Sequence, residues 1–160
     1  MKYFLVGFLL AVVVGLAFAK SPTDYALVIP VGSKHYGGDG VSKCGLTQAN
    51  NPAYRERNLG IGLKGSFDRQ WAVEVGYYQN SAWKETVYAL AKWTPVDYQW
   101  VRLGVGFGGG TGYCAKPVLF MAGAVVTVDV TKNVGFDVVA TPPIGRGIEG
   151  VVGLQLRLSF

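Results

Sequence analysis

The C-terminal stretch 152–160 constrains this chain most. Val152, Leu154, Leu156, Leu158 and Phe160 alternate with Gly153, Gln155, Arg157 and Ser159. Successive side chains of a strand point to opposite faces, so one face is wholly apolar and the other is small or polar. A soluble sandwich buries such an apolar face against a second sheet. A membrane barrel turns it outward to lipid and keeps the polar face inside.

Four more segments repeat the pattern. Leu59, Ile61, Leu63 and Phe67 alternate with Gly60, Gly62, Lys64 and Ser66. Trp71, Val73, Val75 and Tyr77 alternate with Ala72, Glu74, Gly76 and Tyr78. Val101, Leu103, Val105 and Phe107 alternate with Arg102 and three glycines. Val134, Phe136, Val138 and Ala140 alternate with Gly135, Asp137, Val139 and Thr141. The polar faces of these five strands carry Lys64, Glu74, Arg102, Asp137 and Arg157, charges of both signs that can pair in a narrow lumen. The opposite faces carry none. Phe67, Trp71, Trp93, Trp100 and Phe160 mark strand ends, as interfacial aromatic girdles do.

These segments predict an all-β fold, an eight-stranded antiparallel transmembrane β-barrel. Its strands are expected near 25–35, 58–67, 71–80, 85–94, 99–110, 117–129, 133–142 and 149–160, each about the length a tilted strand needs to cross a bilayer. Tight turns fall at 67–70, 94–98 and 129–133. A long loop at 36–57 and shorter ones near 80–85, 111–116 and 143–148 lie on the other side, with both termini on the tight-turn side. Residues 1–19 read as a signal peptide: Lys2, an apolar run, then Ala17-Phe18-Ala19. That leaves 20–160 as one barrel domain of 141 residues (160 − 19). A net charge of +5 suits anionic surfaces and is too mild to argue for nucleic acid. Two cysteines in an exported chain, Cys44 and Cys114, predict one disulfide between two outer loops.

The strand 85–94 does not declare its faces: Val87, Ala89 and Ala91 fit inside or outside, with Tyr88 and Leu90 opposite. Leu119, Met121, Val125 and Val139 are expected inward near the long-loop end, making a lumen apolar in one half and charged in the other. Such a lumen suits an acyl chain better than an ion. His35, the only histidine, ends the first strand, and Asn80-Ser81 end the third on the same side. His35, Ser81 and Tyr78 can therefore meet at one rim, as a general base beside a hydroxyl. A loop histidine with no task is the plain alternative.

The stretches YRERNLGIGLKGSF (54–67), VEVGYYQNSAWKETVYALAKW (73–93), VRLGVGFGGGTG (101–112), KPVLFMAGA (116–124), ATPPIG (140–145) and the final LQLRLSF occur in the order seen in the lipid A palmitoyltransferases. The chain resembles that PagP-like family of outer-membrane barrels over roughly residues 25–160. The resemblance implies acyl transfer from a phospholipid to lipid A by a monomer in the outer membrane of a Gram-negative bacterium, with no metal or other cofactor. It implies catalytic duty for His35, Asn80 and Ser81, lipid A phosphate binding or loop bracing for Glu56 and Arg57, and side openings at Pro117 and Pro142-Pro143. Simple strand termination explains the same prolines. It implies an acyl-chain pocket floored at Ala91, with Ala89 a step above and Met121 on its wall, shallow enough to favour a chain slightly shorter than palmitate.

Two departures stand out. The family's aspartate is Asn80 here, and an amide cannot support an imidazolium by charge. The family's leading amphipathic helix has no room in residues 20–24. A lipase or deacylase, or a non-enzymatic lipid-binding or structural barrel, would use the same architecture.

Overall fold

Strands form where the alternation is. A computed structural model of the chain describes residues 21–37, 54–113, 117–143 and 149–160. The strands are β1 (Asp24–Tyr36), β2 (Gly60–Ser66), β3 (Trp71–Gln79), β4 (Glu85–Tyr98), β5 (Val101–Thr111), β6 (Val118–Asp129), β7 (Val134–Thr141) and β8 (Gly150–Ser159). Each pairs antiparallel with the next, and β8 returns to β1, so the barrel is closed. Closure removes the sheet edges that lipid could not satisfy. The expected signal peptide and both cysteines lie outside the described residues.

Tight turns join β2 to β3, β4 to β5 and β6 to β7. In the first, Asp68 Oδ1 accepts from the amides of Gln70 and Trp71, both at 2.7 Å. In the last, Thr131 Oγ1 accepts from Val134 N at 3.0 Å. The expected turn at 94–98 is corrected: β4 continues to Tyr98 and the turn is Gln99-Trp100, with Gln99 at φ 53°. Pro95 does not end the strand. The register with β5 shifts between Trp93 and Val96, and this bulge takes the residue that cannot donate to the ladder.

The outer face is apolar and exposed: Ile61, Leu63, Val75, Tyr77, Val87, Leu103, Val105, Phe107, Phe120 and Leu154 all face away from the lumen. A continuous surface of this kind is a lipid face rather than a water face. Trp71 and Trp93 stack at 5.8 Å near the turn end, where Tyr98, Trp100 and Phe160 are also exposed.

The turn half of the lumen is filled by ions. Lys92 Nζ lies 2.6 Å from Glu74 Oε2, 2.8 Å from Asp137 Oδ2 and 2.9 Å from Gln155 Oε1. Lys64 reaches the same Asp137 oxygen at 3.1 Å. The Tyr88 hydroxyl donates to Glu74 Oε1 at 2.6 Å, and the Gln155 amide donates to that oxygen at 2.9 Å. Nearer the turns, Asp129 pairs with Arg102 at 3.0 Å and with Arg157. Taking these charges from water is costly, and each is held by opposite charge and hydrogen bonds together. All five charges expected inside are inside. Lys92, which the sequence reading did not nominate, is the hub.

Registering β4 settles its faces and corrects the acyl-pocket residues. Ala89 lies opposite Val75, and Ala91 lies between Val73 and Phe107. Both alanines share the outer face with those residues, so neither floors a lumen pocket. Thr86, Tyr88, Leu90, Lys92 and Thr94 are the inward set. The physical reason is Lys92: its parity carries Leu90 inside with it, because the ammonium has carboxylate partners only there. Tyr88 then lies across β2 and β3. A Cβ at Gly62 would sit 2.7 Å from its hydroxyl and one at Gly76 2.7 Å from its ring, so a side chain at either position would have to displace Tyr88 or the neighbouring backbone.

Candidate active site at the loop end of the barrel

The loop half of the lumen differs from the turn half. Leu119, Met121, Val125 and Val139 face inward along β6 and β7, opposite in parity to exposed Phe120. Val125 and Leu90 converge at inward Gly106, where a Cβ would meet them at 2.9 and 3.4 Å. That contact is the floor of the apolar half, one inward residue above Lys92. On β8 a Cβ at inward Gly153 would meet the Gly32 and Val139 carbonyl oxygens at 3.9 Å, an ordinary contact distance.

The wall of this half is incomplete in two places. β7 stops at Thr141, before Pro142-Pro143, while β6 continues to Val118. Their register runs from Ala124↔Ala140 to Asp129↔Gly135, so the outermost turn of β6 pairs with β5 alone among the described residues. Likewise the β1–β2 ladder stops at Val28; past a bulge at Pro30/Gly32 β1 follows β8, and on its other side it is rejoined only at Ser33, by the 54–58 segment. Prolines stand at both places, where an N–H is missing from the ladder.

At the rim above, His35 and Ser81 meet. Ser81 Oγ lies 3.1 Å from His35 Nε2. The two residues are 46 apart in the chain, on β1 and on the loop after β3. The segment 54–58 holds them together. Tyr54 stacks on the His35 ring at 3.8 Å between centroids, only 6° from parallel. Arg55 N donates to Ser81 O at 2.9 Å, and Ser33 N to Glu56 O at 2.8 Å. Asn58 accepts from Ser33 Oγ at 2.5 Å and donates to Gln79 O at 3.1 Å. Arg55 also covers Trp83, 4.9 Å from its ring centre, and bonds Gln79. Such a contact adds about 0.5–2 kcal/mol.

Chemically, a hydroxyl on an imidazole nitrogen is the start of general-base chemistry. For Nε2 to accept the Ser81 proton, Nδ1 must carry a hydrogen. His35 Nδ1 is buried with no acceptor among the described residues. The ring is therefore oriented by the Tyr54 stack and by Ser81, rather than by a carboxylate as in a Ser-His-Asp triad.

Asn80 does not join this pair, which corrects the catalytic duty that the resemblance implies for it. It is fully buried and faces the other way. Its Nδ2 donates to Thr86 Oγ1 at 3.0 Å and to Gly112 O at 3.1 Å. Its Oδ1 accepts from Ala82 N at 2.9 Å and Lys84 N at 3.0 Å. Both faces of the amide are spent on closing the 80–84 loop and tying it to β4 and β5. An aspartate lacks the two donors, which gives this chain a structural reason for asparagine.

The remaining nominees sit apart from the pair. Glu56 is exposed and pairs with Lys34, so it braces the loop against β1. Arg57 is exposed, and its carbonyl accepts from Arg55 Nε at 2.6 Å. Tyr78 is inside but bonds Tyr113, hydroxyl to hydroxyl at 2.5 Å, and not His35. Burial raises the Tyr113 phenol above its ordinary pKa. Tyr54, Arg55 and Asn58 carry no periodic signal in the sequence: the run Tyr-Arg-Glu-Arg-Asn reads as loop.

No protein-family model matches the sequence, and no curated protein matches it. Among solved structures, the outer membrane protein Ail of Yersinia pestis is similar at 14% identity, with a TM-score of 0.51, over 86% of this chain and 99% of that one. The E. coli outer membrane protein W is similar at 9% identity, with a TM-score of 0.49, over 88% and 100%. The closed eight-strand topology, the lipid-facing exterior and the likeness to Ail define a fold class. This chain is a transmembrane β-barrel of the outer-membrane type.

Proposed function

We propose that this outer-membrane barrel is an acyltransferase that moves a fatty acyl chain from a phospholipid to a hydroxyl of lipid A. The observation that carries the reading is the 3.1 Å contact of Ser81 Oγ with His35 Nε2 at the mouth of an apolar half-lumen. His35 takes the proton of the lipid A hydroxyl as that oxygen attacks the phospholipid's acyl ester carbonyl; the ester C–O bond breaks and the lysophospholipid leaves as the alcohol, with the proton returned by His35. Ser81 supplies the hydroxyl that orients the ring, and the acyl chain lies along Met121 and Val139. Chains enter through the incomplete walls beside Pro142 and Pro30. Arg57, exposed on the loop, is available to a lipid A phosphate. The ordered resemblance to the lipid A palmitoyltransferases supports the same reading, as does a lumen closed below by ions. Cys44 and Cys114 are proposed, on sequence alone, to join the outer loops. The test is incubation of the detergent-folded protein with phospholipid and lipid A, native against His35→Ala, with lipid A weighed by mass spectrometry. Native protein should add one acyl mass, and the variant should lose about 10²-fold or more of that rate.

One observation favours a non-enzymatic lipid-binding barrel. His35 Nδ1 has no acceptor among the described residues, and the neighbouring Asn80 is committed to its loop. That reading expects no product from native protein under the same conditions.

A further inference from the structure

The ion cluster has a second feature, at the turn end of the lumen and apart from the rim chemistry. A cavity of about 10 Å³ lies there, lined by Lys64, Lys92, Arg69, Arg102, Ser66 and Thr127 among others. That is room for a single small particle, a water or a monatomic ion. Around it the barrel's internal ion pairs are unbalanced. Four cations, Lys64, Lys92, Arg102 and Arg157, face three carboxylates, Glu74, Asp129 and Asp137.

Two of these cations, Lys64 and Arg102, line the cavity and carry unmet donors; Arg157 Nε and Asp137 Oδ1, which belong to residues off the cavity lining, are also buried without a partner. Lys92 spends its three donors on Glu74, Asp137 and Gln155. Lys64 is 94% buried, since its side chain is 6% exposed, and its ammonium has one acceptor, Asp137 Oδ2, which Lys92 already shares. Two of its three N–H donors have no acceptor among the described residues. Arg102 Nε is buried and without an acceptor as well. Arg69 is answered by Asp97 at 2.6 Å. Asp68 also lines the cavity and is a fourth carboxylate there, but it is exposed, so solvent screens its charge, and it accepts from the turn amides of Gln70 and Trp71; the imbalance is that of the buried ions alone.

Buried donors left unmet cost about 1–3 kcal/mol each, more for charged groups, and a net buried charge is expensive. We propose that this cavity binds one small monovalent anion of chloride size, with Lys64 Nζ and Arg102 Nε as its charged donors and the Ser66 and Thr127 hydroxyls beside them. The anion balances the internal charge and fastens β2 to β5 and β6 across the lumen.

The test is urea unfolding of the barrel refolded into phosphatidylcholine vesicles, titrated with sodium chloride against sodium gluconate at constant ionic strength. Site binding makes the unfolding constant fall about tenfold per decade of chloride above its dissociation constant. Lys64→Met, which brings the ions to three against three, should make the response flat. If that variant does not fold, crystals of native protein grown in bromide decide it: a single anomalous peak beside Lys64 and Arg102 supports the site. Equal unfolding in chloride and gluconate, with no bromide peak, overturns it. So does a chloride response that persists unchanged in Lys64→Met.

Discussion

Ser81 and Asn80 are neighbours in the chain and point in opposite directions: Ser81 Oγ meets His35 Nε2 at 3.1 Å, while Asn80 turns its amide into Thr86 and the Gly112 carbonyl. Asn80 N also donates to Lys84 O at 2.7 Å, and Trp83 within the same loop takes a φ of 63°. One residue of the pair is available for chemistry and the other builds the turn that presents it.

Asn80→Asp is therefore a test of structure. It removes both donors and buries a carboxylate, so it should lower stability by about 1–3 kcal/mol and should not raise acyl transfer. Urea midpoints in vesicles and product yield measure the two effects. A rise in activity with stability unchanged would place residue 80 in the site after all.

Lys92→Met leaves Glu74 and Asp137 short of their shared cation and should cost about 3–5 kcal/mol. Lys34→Met breaks an exposed pair with Glu56 and should cost under about 1 kcal/mol. Equal losses in the same unfolding assay would mean that the lumen network is hydrated like the surface.

Gly76→Ala puts a methyl within 2.7 Å of the Tyr88 ring. Overpacking of this kind costs about 1–3 kcal/mol. Tyr88→Phe instead loses only the 2.6 Å bond to Glu74. Gly153→Ala, which meets nothing closer than 3.9 Å, should be tolerated within about 0.5 kcal/mol.

If the lumen measures an acyl chain, Leu90 and not Ala91 sets its depth. Leu90→Ala should lengthen the chain selected from phospholipids of graded length, and Ala91→Gly, on the lipid face, should change nothing. Mass spectrometry of the modified lipid A reads both. A shift with Ala91→Gly alone would contradict the register of β4.

The barrel was legible because period two needs no tertiary information: five strands declared a charged face and an apolar face by themselves. β4 did not, because Val87, Ala89, Leu90 and Ala91 offer no contrast of polarity. Only Lys92, read together with Glu74 on the neighbouring strand, breaks the tie. Pro95 read as a turn because a bulge is a property of two strands and not of one. The meeting of His35 with Ser81 followed from strand ends lying on one side. The task of Asn80 did not, because its partners Thr86 and Gly112 are fixed by the fold, and asparagine before serine reads equally as a cap or as a catalytic residue. Tyr54 over His35 depends on the path of a loop that no periodicity describes.

The most direct measurement of the central claim is the mass of lipid A after incubation with phospholipid and three forms of the protein: native, His35→Ala and Ser81→Ala. Native protein should add one acyl mass and each variant should lose about 10²-fold or more in rate, all three barrels unfolding at similar urea concentrations. Unchanged lipid A with folded native protein, or full activity in His35→Ala, would contradict it.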